Sequence, residues 1–309
     1  MAGSGTGAGD MTPMPRISAI VTAYDRIDQT LGTLQHLRSC EPAPAEVLVH
    51  VDGNQQACVA AVRSAHPDLT VLVSESRVGP GGGRNRLMTA ASCDLVASFD
   101  DDSYPIDRDY FGRVAEVFLR FPQASVVTAS VFHANENIEA AAKTVEWLAD
   151  FSGGACAYRR EHYLEAGGYV PLPTAYGMEE VDLALRLHAN GRRILRTAWL
   201  RVYHDTDRAR HADPRVTAAS IANIVLLTYL RYPLSLWGIG LWQCLNRIQW
   251  LLRHGRRRGV LRGLWQSPAL VMSHRQQRDT VSASALRSYF RLRRRSVMAP
   301  WLSAAAISE

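Results

Sequence analysis

The chain has 309 residues, 47% of them hydrophobic and 21% charged, which suits one large α/β domain of roughly 200 to 250 residues plus an appendage. This composition excludes a disordered, fibrous or repeat protein. The net charge of +6 is unevenly placed: residues 221–309 hold fourteen arginines against Asp279 and Glu309, a charge of +12 that leaves −6 for residues 1–220.

Residues 1–15 are small and polar, without the basic and apolar stretches of a secretory signal, so they read as a disordered N-terminal extension and export is not expected. Cys40, Cys58, Cys93, Cys156 and Cys244 are scattered without a CxxC pair, which argues against a disulfide framework or a zinc site and fits a reducing cytoplasm. From Arg16 onward, ISAIVTAY, EVLVHVD, TVLVSES, DLVASFD and ASVVTASVF read as strands, each followed by an amphipathic stretch. The alternation predicts a parallel sheet flanked by helices. Strand one ends in Thr22-Ala23-Tyr24-Asp25 and strand two in Asp52-Gly53-Asn54; strand three leads into a loop over 78–84, and strand four ends in Asp100-Asp101-Asp102. Ligands of open α/β sheets gather at the carboxyl ends of strands, so one nucleotide site can use all four.

A helix over 109–121 carries Tyr110, Phe111, Val114, Val117, Phe118 and Phe121 at spacings of three and four, a core stripe. Gly153-Gly154-Ala155-Cys156-Ala157-Tyr158 opens a short strand, followed by a helix near 160–166 that Gly167-Gly168 stops. Another helix begins in Gly177-Met178-Glu179-Glu180-Val181-Asp182 and ends near Gly191; Asp182 and Arg186, four apart, read as a structural ion pair. A last strand over 194–203 delivers His204 at its end. The chain thus divides into an extension (1–15), an α/β domain (16–215) and an arginine-rich helical region (216–309).

Three carboxylates emerging together from a buried strand repel one another and suit a hard divalent cation, Mg2+ or Mn2+, whose remaining positions take phosphate oxygens and water. Capping of the helix at Tyr110 accounts for Asp107 and Asp109 better than for Asp100-Asp101-Asp102. Glu179 and Glu180, at the start of their helix, are open to the same capping reading. The loop Gly79-Pro80-Gly81-Gly82-Gly83-Arg84-Asn85 is a poor dinucleotide fingerprint, because it follows the third strand and Arg84 stands where GxGxxG needs glycine.

In this order the motifs resemble glycosyltransferase family 2, inverting nucleotide-sugar transferases of GT-A fold, over residues 16–205. The resemblance implies a GT-A type α/β fold: a mostly parallel nucleotide-binding sheet flanked by helices, here with a C-terminal helical extension. It assigns Thr22, Ala23 and Tyr24 to the nucleobase and Asp52 to the pyrimidine ring, with Val51 where the family has a second aspartate. Arg84 falls to the base or diphosphate, Asp102 and His204 to the metal, and Asp100 or Asp101 to the ribose. Glu180 falls on the general base, with Glu179 as the neighbouring candidate. Sugar would pass from a UDP- or dTDP-sugar to an acceptor hydroxyl on a sugar, lipid-linked or small molecule.

Residues 221–252 are apolar but broken by Asn223, Arg231, Pro233 and Arg247, too short between breaks for a spanning helix of about 20 residues. Trp237, Trp242 and Trp250 beside Arg253, Arg256, Arg257 and Arg258 fit either peripheral contact with the inner face of the cell membrane or a helical cover or homodimer face. No nucleic-acid motif accompanies the charge. Two rival functions stand beside the transferase: a catalytically silent nucleotide-sugar-binding or scaffold protein, and a nucleotidyltransferase, whose glycine- and lysine-rich first loop Thr22-Ala23-Tyr24-Asp25 lacks.

Overall fold

The structure is a computed structural model that describes residues 14–174, 176, 178–205 and 213–301. Nearly all of the extension expected over 1–15 lies outside the described residues, as does Gly177 at the head of the acidic motif.

Strands β1 (Ile17–Ala23), β2 (Glu46–Val51), β3 (Thr70–Val73) and β4 (Leu95–Asp100) pair in parallel in the order β4-β1-β2-β3. The crossovers are α1 (Ile27–Arg38), α2 (Gln56–Ala65) and α3 (Gly79–Ala90). Ala19, Val21 and Ala23 join Val47, Val49 and Val51 in a core cluster with α1 and α2, while Ile20 and Leu48 join a second cluster with α3. Covering both faces explains why these strands are almost wholly apolar.

The segment 79–85, expected as a loop, forms the first half of α3. Each glycine costs a helix about 1 kcal/mol relative to alanine, so local propensity favours a loop. Packing overrides it: a Cβ on Gly81 would lie 2.5 Å from Glu179 Oε1, and one on Gly83 2.6 Å from His50 Nδ1.

The second half of the sheet is mixed. It comprises β5 (Ser103–Pro105), α4 (Tyr110–Arg120), β6 (Ala124–Phe132), β7 (Val145–Leu148), β8 (Ala155–Arg159), α5 (Arg160–Glu165), α6 (Glu179–Ala189) and β9 (Arg193–His204). β8 lies antiparallel between β4 and β6, whereas β9 runs parallel to β6 and antiparallel to β5 and β7. The mostly parallel character expected of the sheet therefore holds for its nucleotide half. The aromatic stripe of α4 is buried throughout.

The C-terminal region contains α7 (Pro214–Arg231), α8 (Trp237–Arg253), α9 (Val260–Ser273) and α10 (Ala283–Arg294), and it returns to the sheet as β10 (Val297–Ala299), antiparallel to β7. Leu226 and Leu230 of α7, with Leu286 and Tyr289 of α10, belong to the second core cluster. Asp182, fully buried, pairs with Arg186 as its spacing predicts and also with Arg231 of α7, Nε to Oδ1 at 2.6 Å. All five cysteines are buried and free. Among the described residues no helix is long and apolar enough to cross a membrane.

Candidate active site

Strand register assembles the site at the carboxyl edge of the sheet. Thr22 lies beside His50 on one side and Asp100 on the other, and its Oγ1 donates to Asp100 Oδ1 at 3.3 Å. Pairing of β5 with β9 sets Ser103 opposite His204. His204 Nε2 thereby comes 3.1 Å from Asp102 Oδ1 and 4.0 Å from Asp100 Oδ2. Asp100, Asp102 and His204 offer three ligand atoms within 4.8 Å of one another. Two carboxylates and an imidazole fit a divalent cation such as Mg2+ or Mn2+.

Burial raises the pKa of Asp102, but the His204 hydrogen bond and the Arg26 charge outweigh it, leaving the carboxyl below its ordinary value. For His204 burial acts downward; the bond to Asp102 and the charges of Asp100 and Asp102 reverse it, so the imidazole sits above its ordinary value. Asp101 faces elsewhere. Its carboxylate accepts Nε, at 3.1 Å, and Nη2 of Arg26, whose Nη1 reaches Asp102. Asp101 is as buried as Asp102, and burial pushes its carboxyl up to about 6 despite the arginine. Asp100 is the partly open carboxylate of the triplet.

Arg84 also departs from expectation. Lying inside α3 and facing the sheet, it is 2% exposed and donates from Nε to Ser98 Oγ at 3.0 Å and from Nη2 to Asp100. It underlies the site and orients Asp100, with no open face for a base or diphosphate. Gly153 and Gly154, which sequence reading took only for a strand start, make the close approaches that this layout needs. A Cβ on Gly153 would lie 3.0 Å from Glu180 Oε1 and 3.3 Å from Arg84 Cζ, and one on Gly154 would lie 2.2 Å from Asp100 Oδ2.

At the far end of the same edge Thr22 and Ala23 are buried in β1, while Tyr24 is partly open with the Arg77 guanidinium 4.4 Å above its ring. Asp52 accepts from Ser74 Oγ at 2.7 Å and from the N–H groups of Val78 and Gly79 at 2.9 and 3.0 Å, so it caps α3 from a distance. Both its oxygens already carry hydrogen bonds. Arg26 and Arg77 were missed by sequence reasoning, as was His133, whose Nδ1 lies 3.1 Å from the His204 carbonyl oxygen.

The two glutamates at the start of α6 differ in access. Glu179 is buried and accepts the Gly81 N–H at 3.0 Å; Glu180 is partly exposed. Burial, with the Glu180 charge beside it, holds the Glu179 carboxyl well above the ordinary range. Burial raises Glu180 too, and the Arg84 charge offsets part of that rise. A cleft of about 770 Å³ is lined by Thr128, Phe132, Glu146, Asp150 and Ser152, the last of which precedes Gly153 in sequence.

The sheet and its flanking helices have the GT-A layout. The family model for glycosyl transferase family 2 matches residues 18–166, so this stretch is a family 2 glycosyltransferase domain. The fold is similar to that of GalNAc-T7 with UDP, GalNAc and Mn2+, with a TM-score of 0.57 and 11% identity over 72% of this chain and 49% of that one. It is also similar to mannosyltransferase PcManGT from Pyrobaculum calidifontis in complex with GDP-Man and Mn2+, with a TM-score of 0.53 and 18% identity over 91% and 80% of the two chains. S. aureus TarS 1-349 in complex with UDP-GlcNAc gives 0.52 and 16% over 84% and 92%. At these identities the likeness is one of fold, and the chain spans about half the length of the GalNAc-T7 chain. No curated protein matches the sequence.

Proposed function

We propose that the chain is an inverting glycosyltransferase that moves a sugar from a UDP- or dTDP-sugar to an acceptor hydroxyl. The observation that carries the reading is the convergence of a cation-type donor set, Asp100, Asp102 and His204, with a partly open glutamate, Glu180, through the shared neighbours Arg84, Gly153 and Gly154. Tyr24, Asp52 and Arg77 line the base end, and Asp100 faces the ribose. A cation held by Asp100, Asp102 and His204 would neutralise charge on the diphosphate. Arg84 keeps Asp100 oriented from beneath.

The acceptor oxygen attacks the anomeric carbon while Glu180 takes its proton. The bond from that carbon to the diphosphate oxygen breaks, its electron pair leaving with the nucleoside diphosphate. One displacement inverts the anomeric configuration. Glu180 suits the base better than Glu179, because Glu179 is closed off and already holds the Gly81 N–H. A carboxyl raised by burial works nearer neutral pH, where a positioned base contributes about 10² to 10⁴-fold. The cleft lined by Ser152 offers room for the acceptor, and five free cysteines fit a reducing cytoplasm.

The test is nucleotide binding. UDP or dTDP at 100 times its dissociation constant stabilises the fold by about 2.7 kcal/mol, and the melting temperature should rise only with Mg2+ or Mn2+ present. Asp102→Ala should abolish the response. A mutant that binds nucleotide with unchanged metal dependence sinks the metal assignment.

A further inference from the structure

The C-terminal helices present an apolar face that nothing among the described residues covers. Along α9, Leu261, Leu264, Trp265, Pro268 and Met272 recur at steps of three and four on one side and are exposed, Leu261 at 81% and Trp265 at 87%. The buried side of the same helix is Val260, Gly263 and Ser267, and Gly263 packs closely on Ala218 and Ile221 of α7. Along α8, Trp237, Leu241 and Leu245 follow at steps of four with Trp242 beside them, all exposed. The two rows join: Trp237, Leu241 and Leu264 line one apolar groove of about 440 Å³. Exposed Arg253 ends α8, exposed Arg257 and Arg258 stand on the connecting loop, and exposed Arg262 lies in the first turn of α9. Residues 214–278 contain no acidic residue, so these helices carry nothing of their own to neutralise them.

We propose that this face docks on the surface of an anionic lipid bilayer. A helix lying in the interface buries its apolar side about 5–10 Å into the headgroup boundary, with tryptophan at the transition and arginine on lipid phosphates, which is the distribution seen here. A second copy of the chain is a poorer occupant, because a two-fold contact sets a patch against itself and would oppose arginine to arginine. Nucleic acid would meet the arginines but leave the leucines, Met272 and Pro268 without an apolar partner. The docking helices also touch the segment that precedes the glutamate pair. Asn223 of α7 donates to the carbonyls of Thr174 and Tyr176, and Arg247 of α8 lies 5.6 Å from the Tyr176 ring, in the segment that leads into Glu179 and Glu180. A lipid-linked acceptor deepens the transferase reading and rests on it; the docking itself does not.

The experiment sediments the full chain with vesicles of phosphatidylcholine alone and of equal parts phosphatidylcholine and phosphatidylglycerol. It should pellet with the second and not the first, and less as salt rises. Leu261→Glu with Trp265→Glu, and separately Arg257→Glu with Arg258→Glu, should each weaken binding at least about tenfold. Both pairs lie on the surface, and the Mn2+-dependent UDP response should persist in each. No binding, equal binding to both vesicles, wild-type binding by both double variants, or a dimer in light scattering that Trp265→Glu dissolves would each overturn the proposal. Vesicle binding without any UDP response would support docking while removing the transferase reading.

Discussion

Glu179 and Glu180 are chemically identical neighbours that the fold treats differently. Glu180→Gln should preserve UDP binding and lower turnover by at least about 10²-fold; Glu179→Gln is the control, and a crippled Glu179→Gln with an active Glu180→Gln would move the base one residue back. The pH profile follows from the raised carboxyl. As base, Glu180 must be ionised, so kcat/KM should fall as pH drops through a value above the ordinary glutamate range. The sign is opposite for stability. A raised carboxyl contributes stability that is fully present below its unfolded value and lost as pH rises through the folded one, so Glu180→Gln should flatten the melting temperature against pH. Asp100, Asp102, His204 and the glutamate pair were legible because acids and a histidine at strand and helix ends stand out against apolar runs. Arg26 and Arg77 were not: in a chain with 35 basic residues an arginine carries no signal of its own. Nor could sequence tell which way Asp101 and Arg84 point, since that depends on how a loop and a helix turn in three dimensions.

Among the elements, long strands with β-branched runs and the α4 stripe were readable from period alone. β5, β7 and β10 span three or four residues, too few to display an alternation, so they went unread, whereas β6, β8 and β9 were read as strands without the direction in which they pair. α3 was read as a loop because its glycines are demanded by Glu179 and His50, which are remote in sequence. The Asp182–Arg186 pair was visible at its four-residue spacing, whereas Arg231, 49 residues away, was not. That third partner ties α7 to α6. Removing one member of a buried pair leaves an undercompensated charge, so Arg231→Ala should cost about 3 kcal/mol, measured by urea unfolding. A change within about 0.5 kcal/mol, typical of surface substitutions, would mean that Arg186 alone satisfies Asp182.

At the scale of the whole molecule, the split of charge between residues 1–220 and 221–309 suggests two separable bodies, yet the apolar packing joins them. Leu226, Leu230, Leu286 and Tyr289 bury in the same core cluster as Ile20 and Leu48 of the nucleotide half. Burial contributes about 1.5–3 kcal/mol for each large apolar side chain, so these four account for roughly 6–12 kcal/mol, the size of a typical net stability of about 5–15 kcal/mol. A chain ending at residue 213 should therefore show no cooperative thermal transition by circular dichroism. A truncated chain that melts cooperatively and still responds to UDP would make the helical region a dispensable attachment. β10 sets an order in time as well. Met298 lines the same cleft as Ser152, and its strand pairs with β7, so part of that cleft is put in place by β10. A ribosome adding about 5–20 residues per second has released the whole nucleotide half by then. Until β10 arrives, the newborn chain exposes the open edge of β7, a strand template of the kind that invites misassembly, and this is where a chaperone would find it.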